Sequence, residues 1–426
     1  MLFFILFAIF VAIGLPIAFS MGVAGLTFFS ISDIPLTAVA QKILGGVDSF
    51  TLLAIPLYVL AGEMMETGGV SRRILGLAAA LVGHIRGGLG HVVVVATVFM
   101  SGISGSSSAD TAAIGSSMIP TMMRKGYTRE KATALIAASG GMDILVPPCI
   151  TMIVLGGVVN LSVSNLFFAG IMPGILMAIA LMIVIYLEAK KANIPFEPRQ
   201  SSSQLVTAFR EAIWALLIPV IILGGIKIGA FTATEGAVVA VVYSGIISMF
   251  VYKEVKLKDF IHIGIKAITT TGAIMFLIGM SALFAWVTAR EQVPDVIMKW
   301  VIDFSENPYV FLLLTNLVVL IFGAVLEGAP AVIILAPLLM PVAVKLGIDP
   351  IHFGTLMIAN IGVGYLLPPI GICLLIACSV GKVRVVDIIK PITPYFIAMV
   401  IALMLITYVP EVSLFIPKLF GYQPLR

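Results

Sequence analysis

Charged residues, cysteine and histidine are all scarce in this sequence of 426 residues. Asp, Glu, Lys and Arg make up only 11% of it, while 60% of the residues are hydrophobic. Soluble proteins carry roughly 25% charged residues, so a soluble domain is excluded. The net charge is only +4, which argues against nucleic-acid binding. The composition therefore predicts an all-α, polytopic membrane protein.

The few residues with catalytic or metal-binding chemistry are poorly placed for it. The four histidines lie in loops or at the ends of apolar segments, without a spacing that would pair one with a nucleophile. No G-x-x-x-x-G-K-[ST] loop is present, so no ATP site is predicted. The sequence thus predicts neither an enzyme nor a bound organic cofactor. The three cysteines, expected to pack as small hydrophobic residues rather than form a disulfide, are Cys149, Cys373 and Cys378.

One stretch of small and hydroxyl residues interrupts the apolar segment 89–122. It reads Ser101-Gly-Ile-Ser-Gly-Ser-Ser-Ser-Ala-Asp110. Glycine and serine weaken a helix in mid-course, and a break at membrane depth is tolerated only where the backbone is buried in protein or lines a polar cavity. The carbonyl and hydroxyl oxygens freed there suit a small, hard cation. The alternative is that the small residues only allow two helices to pack closely.

Basic loops indicate the topology, because cytoplasmic loops carry an excess of Lys and Arg. The segments 124–131, 188–211 and 253–258 are basic, and so are both flanks of segment 89–122. That segment is therefore predicted to enter and leave on the cytoplasmic side, as a re-entrant helical hairpin with the serine-rich stretch at its tip. Counting forward places both flanks of a second hairpin, 309–343, outside, and the N-terminus in the periplasm.

The other apolar segments are predicted as helices and the polar ones as loops. Short spans are expected at 2–13 and 16–30, followed by a polar loop at 31–48. Amphipathic pieces near Arg72 and over 294–304 are expected to lie along the membrane interface.

The two halves of the sequence resemble each other at a fixed offset of 221 residues. Each half is predicted to contain five full spans, an odd number, which makes the repeats inverted. The first repeat is predicted over 1–187 and the second over 212–426, with a cytoplasmic linker at 188–211. The matched pairs share one register without gaps and include Gly102 with Gly323, Pro120 with Pro341, Gly141 with Gly362, and Pro147-Pro148 with Pro368-Pro369.

Each repeat also contains a predicted helix broken by two prolines, over 132–159 and 353–379. Proline lacks an N–H and clashes with the carbonyl four residues back, so carbonyls before it lose their helical partners. Inverted repeats with broken helices are typical of secondary transporters, which bind substrate and ions at the repeat interface. A channel is the alternative, but hairpins that cap two half-sites favour occlusion over a continuous pore.

Polar atoms at the hairpin tips and helix breaks are the candidate ligands. The predicted ligands of a first Na⁺ are Ser104, Ser106, Asp143, Val146 and Pro148. Under the same offset a second Na⁺ site, of different charge, is predicted from Gly323, Leu326, Glu327, Gly364 and Leu367. Intramembrane carboxylates are costly and usually functional, and half-helix N-termini attract anions. The predicted substrate contacts are accordingly Ser106, Ser107, Asp110, Thr151 and Glu327.

Several of these motifs together resemble those of one transporter family. They are the Ser104-Gly-Ser-Ser107 tip, the Val146-Pro-Pro148 break, its copy Leu367-Pro-Pro-Ile-Gly371, and the segments Phe231-Thr-Ala-Thr-Glu-Gly236 and Lys345-Leu-Gly-Ile-Asp-Pro350. Across essentially the whole chain, the sequence resembles the large membrane subunit of tripartite ATP-independent periplasmic (TRAP) transporters.

This resemblance implies a mechanism, partners and a location. In such an elevator-type transporter the hairpins and broken helices form a mobile transport domain and the other spans form a scaffold. A Na⁺ gradient would supply the energy. The expected partners are a separate small four-helix membrane subunit and a periplasmic substrate-binding protein. The expected location is the bacterial inner membrane.

The resemblance also bears on the substrate. Ser106-Ser-Ser-Ala-Asp-Thr111 looks more like the sialic acid members than the C4-dicarboxylate members, so N-acetylneuraminate is the expected organic acid. Asp143 and Cys149 depart from the glycine or small residue and the serine that are usual in the family, and Asp143 would change the first cation site. The alternatives are a TRAP subunit for a C4-dicarboxylate or another organic anion, and a standalone Na⁺/dicarboxylate symporter.

Overall fold

The computed structural model describes residues 2–32, 34–191, 199–304 and 307–425. These residues form twenty α-helices and no β-strand, which confirms the predicted all-α class. The helices of the first half are α1 (Leu2–Ala12), α2 (Ile17–Ile31), α3 (Leu36–Val47), α4 (Ala54–Thr67), α5 (Val70–Val82), α6 (Gly88–Ser104), α7 (Ser107–Arg124), α8 (Arg129–Asp143), α9 (Ile150–Val159) and α10 (Val163–Lys191).

Two short helical turns accompany the α-helices. A 3₁₀ turn, Phe50–Leu53, precedes α4, and a π turn, Ile247–Val251, extends α12. Among the described residues, eight helical segments are long and apolar enough to cross a membrane. The second-half helices are α11 (Ser202–Lys227), α12 (Ala233–Ile246), α13 (Asp259–Arg290), α14 (Val293–Phe304), α15 (Pro308–Val325), α16 (Gly328–Lys345), α17 (Pro350–Gly364), α18 (Ile372–Gly381), α19 (Val385–Tyr408) and α20 (Glu411–Leu419).

The first predicted hairpin, 89–122, is the helix pair α6 and α7. The chain turns at Gly105, whose φ of +63° favours glycine because a side chain is strained there. Ser106 then caps α7, since its hydroxyl accepts a hydrogen bond from the backbone N–H of Ala109. The second predicted hairpin, 309–343, is the pair α15 and α16, which is interrupted at residues 326–327.

The two predicted broken helices also form as pairs of short helices. The first, 132–159, divides into α8 and α9 around the cis bond Pro147–Pro148. The second, 353–379, divides into α17 and α18 around the cis bond Pro368–Pro369. Because proline cannot donate the helical hydrogen bond, each break leaves a short turn of irregular backbone inside the helical bundle.

Helix positions repeat at the offset found in the sequence. The bounds of α16 and α17 are those of α7 and α8 shifted by 221 residues. The equivalent residues Gly141 and Gly362 touch each other, since a methyl group on Gly362 would overlap the Gly141 carbonyl oxygen. A contact between equivalent positions lies on a two-fold axis. The division into two inverted repeats, 1–187 and 212–426, stays a prediction that this geometry supports.

The two hairpins begin beside different parts of α19. Gly87, at the base of the first hairpin, packs against the last turns of α10, and Glu188 there accepts a hydrogen bond from Tyr395 at 3.0 Å. Tyr309, at the base of the second hairpin, accepts from Tyr408 at 3.5 Å through its carbonyl oxygen. The two tyrosines are thirteen positions apart in α19, a rise of about 20 Å. The bases of the two hairpins therefore lie well apart along α19.

The prediction of a polar loop at 31–48 is wrong, because α3 occupies most of that segment. Val39, Ile43 and Val47 recur at intervals of four residues and form one helical face. Ile43 packs against Gly279 of α13. The polar residues of α3 occupy the other face, which made the segment resemble a loop.

Helices extend into both ends of the predicted linker 188–211. Helix α10 runs to Lys191, and α11 begins at Ser202 behind a capping box formed by Ser201 and Gln204. Residues 192–198 of the linker lie outside the described residues.

Candidate functional site

The tip of the first hairpin is held together by its own hydroxyl groups. Ser104 donates a hydrogen bond to the Oδ2 atom of Asp110 at 2.6 Å, and the backbone N–H of Ser106 donates to the Ser104 hydroxyl at 3.2 Å. Asp110, in the first turn of α7, is only 1% exposed. The predicted residues Ser104, Ser106 and Asp110 therefore form one connected unit.

Three oxygen atoms converge where α6 passes the break of the first broken helix. The Ser101 hydroxyl lies 2.5 Å from the Asp143 carbonyl oxygen and 3.1 Å from the Val146 carbonyl oxygen. A serine hydroxyl carries a single proton, so it cannot donate to both carbonyls at once. The Asp143 carbonyl also accepts the Val146 N–H at 3.1 Å, so among the described residues it is the Val146 carbonyl that depends on the serine proton alone. The three oxygens are a partial ligand set for a small, hard cation.

The Asp143 carboxyl group adds an acidic atom at the same place. Asp143 is 1% exposed, and its Oδ1 atom has no hydrogen-bond partner among the described residues. Its carboxyl group lies beside that of Asp110. In the part of the chain that the structure describes, no Lys or Arg pairs with either group. Two adjacent buried carboxyl groups are costly unless a positive charge or a proton compensates them.

Pro148 also approaches the first hairpin, as predicted for a shared cation site. A Cβ atom on Gly105 would lie 3.0 Å from the Pro148 carbonyl oxygen, so the hairpin tip and the helix break are in contact. Ser104 and Ser106 instead point their hydroxyls at Asp110 and at Ser108. The structure therefore brings Asp143, Val146 and Pro148 to the hairpin but does not join all five predicted first-site residues.

The second half has the same backbone turn with different chemistry. A Cβ atom on Gly364 would lie 2.7 Å from the carbonyl carbon of Gly323, and the Leu367 N–H donates to the Gly364 carbonyl at 2.9 Å. Phe322 occupies the position equivalent to Ser101, so this turn lacks the hydroxyl that Ser101 supplies in the first half. The predicted second-site residues Gly323, Gly364 and Leu367 are together, while Leu326 only ends α15 with an N–H bond to the Phe322 carbonyl at 2.7 Å.

Glu327 lies with the opposite hairpin rather than with the second helix break. Its Oε1 atom accepts a hydrogen bond from Ser108 of α7 at 3.4 Å, and the Ser108 and Ser106 hydroxyls are 3.2 Å apart. The two hairpin tips therefore meet. Of the two roles predicted for Glu327, this contact places it beside the predicted substrate contact Ser106.

Thr151 completes the meeting point of the half-helices. A Cβ atom on Gly328, the first residue of α16, would lie 2.7 Å from both the Thr151 Oγ1 atom and the Tyr365 hydroxyl oxygen. Thr151 is the second residue of α9, so the N-termini of α9 and α16 lie side by side, with that of α7 at the same tips. Helix N-termini attract anions.

One predicted substrate contact, Ser107, is not at the exposed tip, and three residues that were not predicted lie at the site. Ser107 is buried, and its side chain lies at the Asp143 carboxyl group rather than at the exposed tip. Ser101, Ser108 and Tyr365 were missed as site residues. The two serines belong to the serine-rich stretch, which was the available signal, whereas only the folded structure brings Tyr365 to Gly328.

Within the described residues, no group of three or more His, Cys, Asp or Glu side chains could hold a metal ion. The three cysteines are buried and free, as expected for packed hydrophobic residues.

Two helical hairpins that meet between broken helices define the chain as a multi-pass membrane transporter. The family model of the tripartite ATP-independent periplasmic transporter, DctM component, matches residues 4–412. The chain therefore belongs to this family and is a large permease subunit. This confirms a transporter rather than an enzyme.

The names of the relatives refer to different substrates. The chain is 40% identical over 403 residues to the C4-dicarboxylate TRAP transporter large permease protein DctM of Pseudomonas aeruginosa, with 94% of each chain covered. It is 38% identical over 411 residues to the sialic acid TRAP transporter large permease protein SiaM of Vibrio cholerae, with 96% of each covered. The crystal structure of the Alcanivorax borkumensis YdaH transporter shares the fold, with a TM-score of 0.65, 14% identity and 87% of each chain covered.

Proposed function

We propose that the chain couples the import of an organic acid to Na⁺. The observation that carries this proposal is the set of three converging oxygens formed by the Ser101 hydroxyl and the Asp143 and Val146 carbonyls. It lies beside the buried carboxyl pair of Asp110 and Asp143. A Na⁺ ion there would coordinate the Val146 carbonyl oxygen and offset the negative charge of the two buried carboxyl groups.

The carboxyl groups at the hairpin tips give a reason for coupling anion import to Na⁺. Glu327 is exposed at the tips, with Asp110 and Asp143 buried below. No Lys or Arg is among the site residues described above, so an organic anion meets negative charge unless cations are bound first. Cation and anion then strengthen each other's binding by the same factor, because binding free energies are linked reciprocally.

N-acetylneuraminate is the first substrate candidate. The hydroxyls of Ser104, Ser106, Ser108 and Thr151 and the carboxylate of Glu327 provide hydrogen-bond partners for a polyhydroxylated acid. A C4-dicarboxylate is the second candidate, since the relative with 40% identity carries that name. Both acids would use the N-termini of α7, α9 and α16 for a carboxylate.

The proposed assembly and motion follow from the family. The chain works with a small membrane subunit and a periplasmic substrate-binding protein in the bacterial inner membrane, with its N-terminus in the periplasm. The hairpins and broken helices move as a transport domain against a scaffold of the other spans. The bases of the hairpins lie well apart along α19 while their tips meet, which supports this elevator arrangement.

Uptake into proteoliposomes tests the proposal. The vesicles contain this chain and its small subunit, the binding protein is added outside, and an inward Na⁺ gradient is either imposed or collapsed. Labelled N-acetylneuraminate and succinate are compared. Gradient-driven uptake that needs all three proteins is expected. Uptake unaffected by collapse of the gradient would refute Na⁺ coupling, and uptake by this chain alone would favour a standalone symporter.

A further inference from the structure

A second charged site lies far from the hairpin tips. A cavity of about 740 Å³ opens between the start of α5, the start of α11 and the end of α12. Its walls include Arg72, Arg73, Arg210, Trp214 and Tyr252. These helix ends carry the basic loop 253–258 and the start of the membrane-spanning helix α11, so the cavity lies at the boundary of the membrane.

Arg73 is fixed in the wall of this cavity. Its guanidinium group stacks 3.8 Å from the centre of the Tyr252 ring, pairs with Glu254 at 2.8 Å and donates to the carbonyls of Gly68 and Gly69. Its side chain is only 16% exposed. Arg73 therefore holds α5 against the end of α12 and sets the shape of the cavity.

Arg72 and Arg210 keep donors for a ligand. The Arg72 side chain is 77% exposed and pairs with Glu254 through one terminal nitrogen, at 2.8 Å. Arg210 is exposed and forms no ion pair within the described residues. The cavity wall contains three arginines and Glu211, and Glu254 pairs with Arg72 and Arg73, which leaves one positive charge in excess. The planar guanidinium group binds phosphate through paired hydrogen bonds.

The rim of the cavity is apolar and faces outward. Val206 is 64% exposed, Trp214 is 42% exposed and Val251 is 40% exposed. Such side chains at the start of a membrane-spanning helix contact the acyl chains of lipids, and tryptophan is typical of the membrane interface. A ligand that satisfies both features has an anionic phosphate next to hydrocarbon chains. Basic pockets between helices at this depth recognise lipid headgroups.

We propose that this cavity binds the phosphate of an anionic phospholipid, held by Arg72 and Arg210, with the acyl chains along Val206, Trp214 and Val251. The bound lipid fills the gap between α5, α11 and α12. Since α5 leads directly into the first hairpin, the lipid stabilises the base from which that hairpin extends.

Native mass spectrometry of the detergent-purified assembly with its small subunit tests this site. Dioleoylphosphatidylglycerol, dioleoylphosphatidylcholine and inorganic phosphate are titrated separately. Arg72→Gln/Arg210→Gln is expected to weaken phosphatidylglycerol binding by at least about tenfold. The matched control Arg199→Gln/Lys258→Gln removes two charges at the same end of the molecule but outside the cavity, and is expected to bind as the wild type does.

The outcomes separate the sources of the phosphate. Strong phosphatidylglycerol binding that is lost only in the cavity variant supports the proposal. Equal loss in the control variant, equal binding of phosphatidylcholine, or inorganic phosphate binding as tightly as the lipid would overturn it. So would the absence of lipid from the wild-type assembly, which would mean that the small subunit covers the cavity. If the double variant misfolds, Arg210→Gln decides, because it breaks no ion pair in the described structure.

Discussion

Replacing Ser101 with alanine tests the proposed Na⁺ site most sharply. The hydroxyl of this fully buried serine lies between the carbonyl oxygens of Asp143 and Val146. Alanine removes one of three converging oxygens and leaves both carbonyls in place. The variant should therefore still fold and still bind Na⁺, but more weakly.

The expected size of the effect follows from the lost oxygen. A hydrogen bond or equivalent polar contact to a charged partner contributes about 1.5–3 kcal/mol. This corresponds to a roughly 10- to 150-fold higher Na⁺ concentration for half-maximal uptake. Ser281→Ala is the matched control, because that buried hydroxyl donates only to Ile278 of its own helix, at 2.6 Å.

The assay measures initial uptake into proteoliposomes against external Na⁺ concentration, at saturating binding protein and substrate. The Ser101→Ala curve should shift to higher Na⁺ and reach a similar plateau, while the Ser281→Ala curve should overlie that of the wild type. An unshifted Ser101→Ala curve would refute the reasoning that these three oxygens bind the coupling ion.

Three further changes test other parts of the site. Gly362→Ala should lower the thermal stability of the purified protein, because overpacking against Gly141 costs about 1–3 kcal/mol, whereas Gly272→Ala in open space on α13 should be neutral or slightly stabilising. Cysteines at Ser108 and Glu327, in a chain without its three native cysteines, should be joined by a short bifunctional thiol reagent, detected as one bridging mass on the purified chain. Asp110→Ala should abolish uptake while the purified protein stays monodisperse.

Each of these changes has an outcome that contradicts its reasoning. Equal stability of the Gly362 and Gly272 variants would mean that the two broken helices do not cross in contact. Failure to link the two tips would mean that the hairpins do not meet. Full uptake by the Asp110 variant would remove that carboxylate from the site.

The regular parts of the fold were readable from the sequence because their signals are local. The glycine and serine residues at 101–110 and the two double prolines break helices wherever they occur, so both hairpins and both broken helices were predicted close to their bounds. The prediction of a loop at 31–48 was wrong because polar residues interrupt its apolar helical face. That face is recognised only from its packing against α13.

The site was predictable only in part, for the same reason. Asp110, Asp143 and Val146 were found because acidic residues and helix breaks within apolar segments are rare. Tyr365 gives no such signal, since a tyrosine in an apolar segment is ordinary and its approach to Gly328 depends on how the halves pack. The offset of 221 residues predicted a similar second site, but Phe322 in place of Ser101 gives that turn a different chemistry.

The central claim is that cations bind at the acidic hairpin tips and travel with the organic anion. The entry of ²²Na⁺ into proteoliposomes, measured together with the entry of labelled substrate, tests it most directly. The account predicts that ²²Na⁺ enters with the substrate in a fixed ratio, and that its entry falls to background when the substrate or the binding protein is left out. Substrate entry with no accompanying ²²Na⁺ would contradict it.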